Sequence, residues 1–195
     1  MTTAARLGRL GIDALVVDRM ARVGDNWRLR YRNLMLHNQK NSNQMPLMPF
    51  PDSWPAYIPK DKIANWLEIY VEALEINFWT RTEFEGARRD DDHWWAVVVR
   101  EGARREMKVR HIVMATSVSA IPKLPEIPTL ERFGGEVVHS SGYADGARLS
   151  GRPAVVVGTG TSAHDIAQDL HAHGARVTMV QRSPTLVVNV EPAQL

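Results

Sequence analysis

The hexapeptide Gly158-Thr159-Gly160-Thr161-Ser162-Ala163 constrains this chain more than any other stretch. It has the spacing G-x-G-x-x-A, follows the apolar run Ala154 to Val157 and opens a segment of helical pattern from Ser162 to His173. In that context the first glycine permits a tight turn and the second lets backbone N–H groups approach a pyrophosphate at a helix N-terminus. The alanine allows the helix to pack closely on the strand. A plain glycine-rich turn is the simpler alternative, and the flanking strand and helix weigh against it. Gly174 and the run Arg176 to Val180 complete a strand, turn, helix, strand unit, whose strands pair in parallel. The expected fold class is therefore α/β.

An ungapped internal match carries the reading to the start of the chain. Gly11 to Arg19 (GIDALVVDR) matches Gly174 to Arg182 (GARVTMVQR), each a glycine, a strand and a polar tip. Residues Thr2 to Leu10 favour a helix that ends at Gly11. The tips differ in charge. Asp18 can accept hydrogen bonds from an adenosine ribose and would repel a 2′-phosphate, so it suits FAD or NAD. Gln181 is neutral with Arg182 beside it, which accommodates the 2′-phosphate of NADP. Two dinucleotide-binding domains with opposite charge demands are expected, FAD-type over 1–148 and NADP-type over 149–195. The two repeat glycines lie 163 positions apart (174 minus 11), so glycines equivalent to Gly158 and Gly160 would precede Met1. The expectation is a fragment whose first domain lacks its first strand and phosphate loop and whose second is incomplete at its C-terminus.

Between these units, apolar residues at Ile63, Trp66, Leu67, Tyr70, Val71 and Leu74 predict a helix with Asp61 as its N-cap. An acidic-basic loop is expected over Arg88 to Asp92, then a hairpin from Trp94 to Val109 turning near Glu101 and Gly102, then a buried strand over Ile112 to Ala115. The connector IPKLPEIP, Ile121 to Pro128, marks a change of subdomain. Trp66, Trp94 and Trp95 read as core, and Trp54 as a candidate lining of a substrate channel.

Composition narrows the function. The chain has no Cys, which excludes disulfide scaffolds, thiolate metal sites and Cys nucleophiles, so redox chemistry would belong to a bound cofactor. The 24 Lys and Arg nearly balance 22 Asp and Glu and are evenly spread, which argues against a nucleic-acid partner. No apolar run reaches membrane-spanning length, and Arg6 and Arg9 interrupt the opening segment, so a cytoplasmic protein is expected. His171 and His173 are two apart on a predicted helix and point in different directions, which disfavours a metal pair. Ser162, His164 and Asp165 in the first turns of that helix suit capping or phosphate contact better than a triad. His139 is read either as a hydrogen-bonded structural histidine or as a cofactor contact.

Several segments together resemble a known family. Gly24-Asp25-Asn26-Trp27-Arg28 resembles a G-x-x-W segment that lies along FAD. His37, Lys40 and Pro46-Leu47-Met48-Pro49-Phe50-Pro51 resemble a stretch leading toward the flavin ring. Phe133 to Tyr143 (FGGEVVHSSGY) matches the identifier F-x-G-x-x-x-H-x-x-x-Y without insertion. The chain thus resembles the flavin-containing monooxygenases, particularly bacterial members similar to the plant auxin-forming enzymes. Tyr143, where Baeyer–Villiger relatives usually carry Trp, fits the heteroatom-oxidising or plant-like branch. One departure is Ser117, which stands where the family's A-T-G motif, here Ala115-Thr116-Ser117, ends in glycine.

The resemblance implies two Rossmann-like domains with parallel sheets and a small antiparallel hairpin. It implies an oxidoreductase in which NADPH reduces FAD and the reduced flavin forms a C4a-(hydro)peroxyflavin with O₂ that oxygenates a small organic substrate. It assigns Asp18, Asn26, Trp27, Arg28 and Thr116 to FAD. Gly158, Gly160, Thr161, Ser162, Ala163 and Arg182 go to NADP, and His37 and Asn38 to the region between flavin and nicotinamide. No metal is implied. The competing reading is a noncatalytic NADP-binding remnant of a truncated flavoprotein oxidoreductase. A flavoprotein disulfide reductase would need a Cys pair that this chain does not have.

Overall fold

The computed structural model describes residues 1–117 and 121–186. They form two compact units, one of residues 1–29 and 35–121, the other of residues 30–34 and 122–195. The division at Ile121 falls in the proline-rich connector.

In the first unit, helix α1 (Thr2–Arg9) stops at Gly11, whose φ of +70° suits a residue without a Cβ. The Gly11 N–H donates to Gly8 O and the Ile12 N–H to Leu7 O, a Schellman closure of the last carbonyls. Strand β1 (Val16–Val17) follows, then the short helix α2 (Asp25–Arg28) and the long helix α3 (Lys60–Ala73). Strand β2 (Phe78–Trp79) returns parallel to β1, so the crossover expected of an α/β unit is present.

Helix α3 buries Ile63, Ala64, Leu67 and Tyr70, the face its apolar spacing predicted. Its N-cap is Pro59, not Asp61, and no side chain caps it. Lys60 draws the helix start forward: its stem is buried and its ammonium donates to Arg28 O and to Asp61 Oδ1, both at 2.8 Å. Asp61 thus sits inside the first turn, where a carboxylate still favours the helix dipole.

The expected hairpin is the second half of a three-stranded antiparallel sheet, β3 (Thr82–Asp90), β4 (His93–Arg100) and β5 (Ala103–Val109). Residues Arg88 to Asp90 are strand, and only Asp91 and Asp92 turn, which corrects the expected loop. Their charge hid the strand. Arg88 and Arg89 lie over the rings of their cross-strand partners Trp95 and Trp94, at 5.3 and 5.5 Å, so tryptophan faces support cations on an exposed sheet. The turn of the next hairpin falls at Glu101 and Gly102, both at positive φ, as a two-residue turn requires.

Ile112 to Ala115 form no strand, and Val113 and Met114 are more than half exposed. The expected buried strand is therefore absent: an apolar run becomes a strand only with a hydrogen-bonding partner, and no ladder reaches it among the described residues.

The second unit contains β6 (Pro153–Val157), α4 (Thr161–Ala172) and β7 (Arg176–Val180), with β6 and β7 parallel and in register from Pro153↔Arg176 to Val157↔Val180. Its core is Val156, Ile166, Ala167, Leu170 and Ala175. Helix α4 closes as α1 does: Gly174 has φ +82°, and Gly174 N–H and Ala175 N–H donate to His171 O and Leu170 O. Among the described residues no helix is long and apolar enough to cross a membrane.

Candidate functional site

In the second unit the parallel register brings the ends of β6 and β7 side by side, the edge at which open α/β sheets bind nucleotides. Gly158 turns off β6 with φ +109°, and its N–H donates to Val180 O at 2.9 Å. Gly160 is the N-cap of α4, makes no side-chain cap, and has open space where a Cβ would stand. Thr161, Ser162 and Ala163 form the first turn of α4, with Ala163 packed on the unit's core. Arg182 is exposed just past the end of β7, and Thr159 Oγ1 meets Thr185 Oγ1 across this edge. The structure thus gathers Gly158 to Ala163 and Arg182 at one end of one sheet.

The first unit holds a cavity of about 370 Å³, lined among others by Trp27, Leu36, Asn43, Met45, Phe50 and Ala115. This is within the range of small-molecule sites, and a mostly apolar wall with an amide suits a flat heteroaromatic ring. Three segments assigned to flavin meet there: Trp27 itself, Leu36 just before His37, and Ala115 just before Thr116. His37, Asn38 and Thr116 are exposed. The residues present therefore fit part of an FAD molecule.

Gly24 explains the spacing of the G-x-x-W segment. It has φ +88° and is packed so closely on α3 that a Cβ would stand 2.5 Å from Ala64 O. Only glycine lets α2 lie on α3 and present Trp27. Asn26 is exposed, while Arg28 ties the two helices: its guanidinium donates to Val23 O at 2.6 Å, Glu68 Oε2 at 2.7 Å and Asp25 Oδ1 at 3.1 Å. Asp18 follows β1, half-buried, and accepts the Met20 N–H at 2.9 Å. Lys40 donates to Trp54 O, and Tyr70 donates to Pro46 O, both at 2.8 Å, so each holds an end of the proline-rich loop. Trp54, half-buried, packs against the core in a cluster with Phe50 and Trp66, at 5.8 and 5.3 Å between ring centres.

The identifier segment is structural in this unit. His139 Nδ1 accepts the Ser141 N–H and caps the short helix Ser140–Gly142. The Phe133 ring lies where a Cβ on Gly135 would stand, which accounts for F-x-G. Tyr143 donates to Asp169 Oδ2 at 2.6 Å. Asp169 is buried and also accepts from Gly146 N–H at 2.7 Å and Asn33 Nδ2 at 2.5 Å. Segment 30–34 thereby belongs to the second unit: Tyr31 donates to Asp165 Oδ2 at 2.7 Å, and Arg32 pairs with Asp145 at 2.9 Å. Burial, then the neighbouring carboxylates, push the Tyr31 and Tyr143 phenols well above the ordinary tyrosine range. Sequence reasoning missed this network. Its one visible trace was the spacing of Asp165, Asp169 and His173, four apart on one helix flank.

A sequence model of the flavin-binding monooxygenase-like family matches residues 20–192. Indole-3-pyruvate monooxygenase YUCCA1 of Oryza sativa subsp. japonica is 33% identical over 200 residues, covering all of this chain and 47% of that protein. Probable indole-3-pyruvate monooxygenase YUCCA9 of Arabidopsis thaliana is 35% identical over 192 residues, covering 96% of this chain and 46% of that protein. The chain thus spans about half the length of the curated relatives it matches. A mutant flavin monooxygenase from Stenotrophomonas maltophilia shares the fold with a TM-score of 0.88 at 21% identity, over 97% of this chain and 56% of that one. With a family match over most of its length, this chain belongs to the flavin-binding monooxygenase-like family.

Proposed function

We propose that the protein containing this chain is an FAD- and NADPH-dependent monooxygenase that uses O₂ to oxygenate a small organic substrate. The reading rests on one observation. Two helix, glycine, strand units of the same build stand in one chain, one tipped by Asp18 and the other by Gln181 and Arg182. An acidic tip suits the ribose of FAD, and a neutral tip with an adjacent guanidinium suits a 2′-phosphate. The FAD domain is assigned to 1–148 and the NADP domain to 149–195.

FAD, when bound, supplies the two-electron chemistry and the reaction with O₂. The chain's residues bind and orient. Asp18 holds the ribose, Trp27 packs along the cofactor, and Asn26, Arg28 and Thr116 border it. Gly158 and Gly160 open the way for a pyrophosphate to the backbone N–H groups of Thr161 and Ser162. His37 and Asn38 are assigned to the region between flavin and nicotinamide. The names of the plant relatives make an aromatic 2-oxo acid the first substrate class to try.

The test is an assay of NADPH-dependent O₂ uptake by the purified protein with indole-3-pyruvate and with simple amines and sulfides. Bound flavin with substrate-stimulated uptake is expected. NADPH binding without flavin would favour the noncatalytic remnant instead.

A further inference from the structure

Helix α4 serves two purposes on two sides. Its first turn follows the glycine loop, and its flank carries Asp165, Asp169 and His173 in line. A carboxylate just beyond the first turn is a liability at a site meant for a pyrophosphate. The helix end offers about half a positive charge, and a nearby anion subtracts from it.

The chain answers that liability at Asp165. Tyr31 is 4% exposed, and its phenol donates to Asp165 Oδ2 at 2.7 Å. Tyr31 keeps its proton because burial, and then Asp165, disfavour the phenolate. Its ring is fixed edge-on to Tyr143, 6.4 Å between centres, and Tyr143 and Asn33 anchor the same segment to Asp169 one turn further along. The Tyr31 ring is thus buried, set edge-on to Tyr143 and hydrogen-bonded to the flank of the helix.

We propose that Tyr31 is a positioning residue for the dinucleotide loop: its phenol holds the Asp165 carboxylate at the flank of α4 and offsets part of its charge, so that the helix N-terminus keeps its attraction for the NADP(H) pyrophosphate. The inference rests on the reading of Gly158 to Ala163 as an NADP(H) loop.

Fluorescence titration of the full chain with NADPH, at low and at high salt, tests it with Tyr31→Phe, Asp165→Asn and the double variant. Tyr31→Phe is expected to raise Kd about tenfold, since a hydrogen bond to a charged group is lost. The ratio to wild type shrinks at high salt. Adding Asp165→Asn restores Kd to within about twofold of wild type, because the offending charge is gone. A double variant as weak as Tyr31→Phe overturns the proposal, since removing a charge does not repair lost packing, and so does an unchanged Kd in Tyr31→Phe. Thermal unfolding checks each variant. If Tyr31→Phe does not fold, Asp165→Asn alone decides: equal or tighter binding with a flatter salt dependence is expected, and weaker binding overturns the idea. A folded wild type that binds no NADPH sinks the loop reading itself.

Discussion

The two helix, glycine, strand units of this chain close their helices alike and tip their strands differently. Helices α1 and α4 both close through a glycine in the left-handed region, Gly11 and Gly174, and both lead into a strand that pairs in parallel. The strands that follow end in opposite chemistry, Asp18 in one and Gln181-Arg182 in the other. The comparison teaches that the C-terminal closure is a property of backbone geometry and repeats, while the tip diverges, as the proposed difference in nucleotide would require. A third helix sharpens the point: α3 closes the same way, with Ile76 N–H on Val71 O, yet its left-handed residue is Glu75 at φ +49°.

The largest expected effect falls on the second unit's anchor. Asp169→Ala strips a buried acceptor from Tyr143, Asn33 and Gly146, and should destabilise that unit by about 3 kcal/mol or more, read by chemical denaturation. A loss under about 1 kcal/mol would mean that the network does not hold α4.

In the first unit Gly24→Ala should cost about 2–4 kcal/mol, because the new Cβ collides with the α3 backbone and the φ of +88° is unfavourable. Flavin content should fall with it, as Trp27 shifts. Unchanged thermal unfolding would break the claim that Gly24 sets the packing of α2.

Arg182→Ala should raise KM for NADPH by about tenfold while leaving KM for NADH nearly unchanged, since a single charge-assisted contact to the 2′-phosphate is lost. Equal effects on both nucleotides would erase the charge contrast between the two tips.

Alkaline pH probes the tyrosine network of the second unit without mutation. Tyr31 and Tyr143 are protonated in the folded state beyond tyrosine's ordinary value of about 10. Their contribution is complete below that pH and declines above it, as the unfolded chain releases protons that the folded chain keeps. Stability should therefore fall above about pH 10 by up to about 1.4 kcal/mol per pH unit for each tyrosine. Denaturation curves of Tyr143→Phe should show a flatter decline, and a slope identical to wild type would remove Tyr143 from the account.

The smallest effect concerns Ser117, at φ +66° where the family motif has glycine. Ser117→Gly should stabilise by about 0.5–1 kcal/mol by relieving the left-handed conformation. A loss of stability would mean that the hydroxymethyl group makes a compensating contact.

The readable parts of the fold were those where local chemistry and tertiary role agree. The Gly158 loop, the Gly11 and Gly174 stops and the apolar face of α3 each follow from spacing alone. The strand Arg88 to Asp90 was illegible because its side chains are charged and its support, tryptophan faces, lies on the neighbouring strand. Ile112 to Ala115 misled for the opposite reason, since apolar pattern cannot supply a pairing partner. The site shows the same limit: Gly24 and Trp27 were legible as a motif, but Tyr31 and Asp169 are 138 positions apart (169 minus 31), and only the fold brings their neighbourhoods together.

The central claim, that the two tips select different nucleotides, is tested most directly by measuring bound flavin and NADPH affinity of Asp18→Arg beside the wild-type chain. The account predicts flavin in the wild type, none in Asp18→Arg, and the same Kd for NADPH in both. Stoichiometric flavin in Asp18→Arg would contradict it.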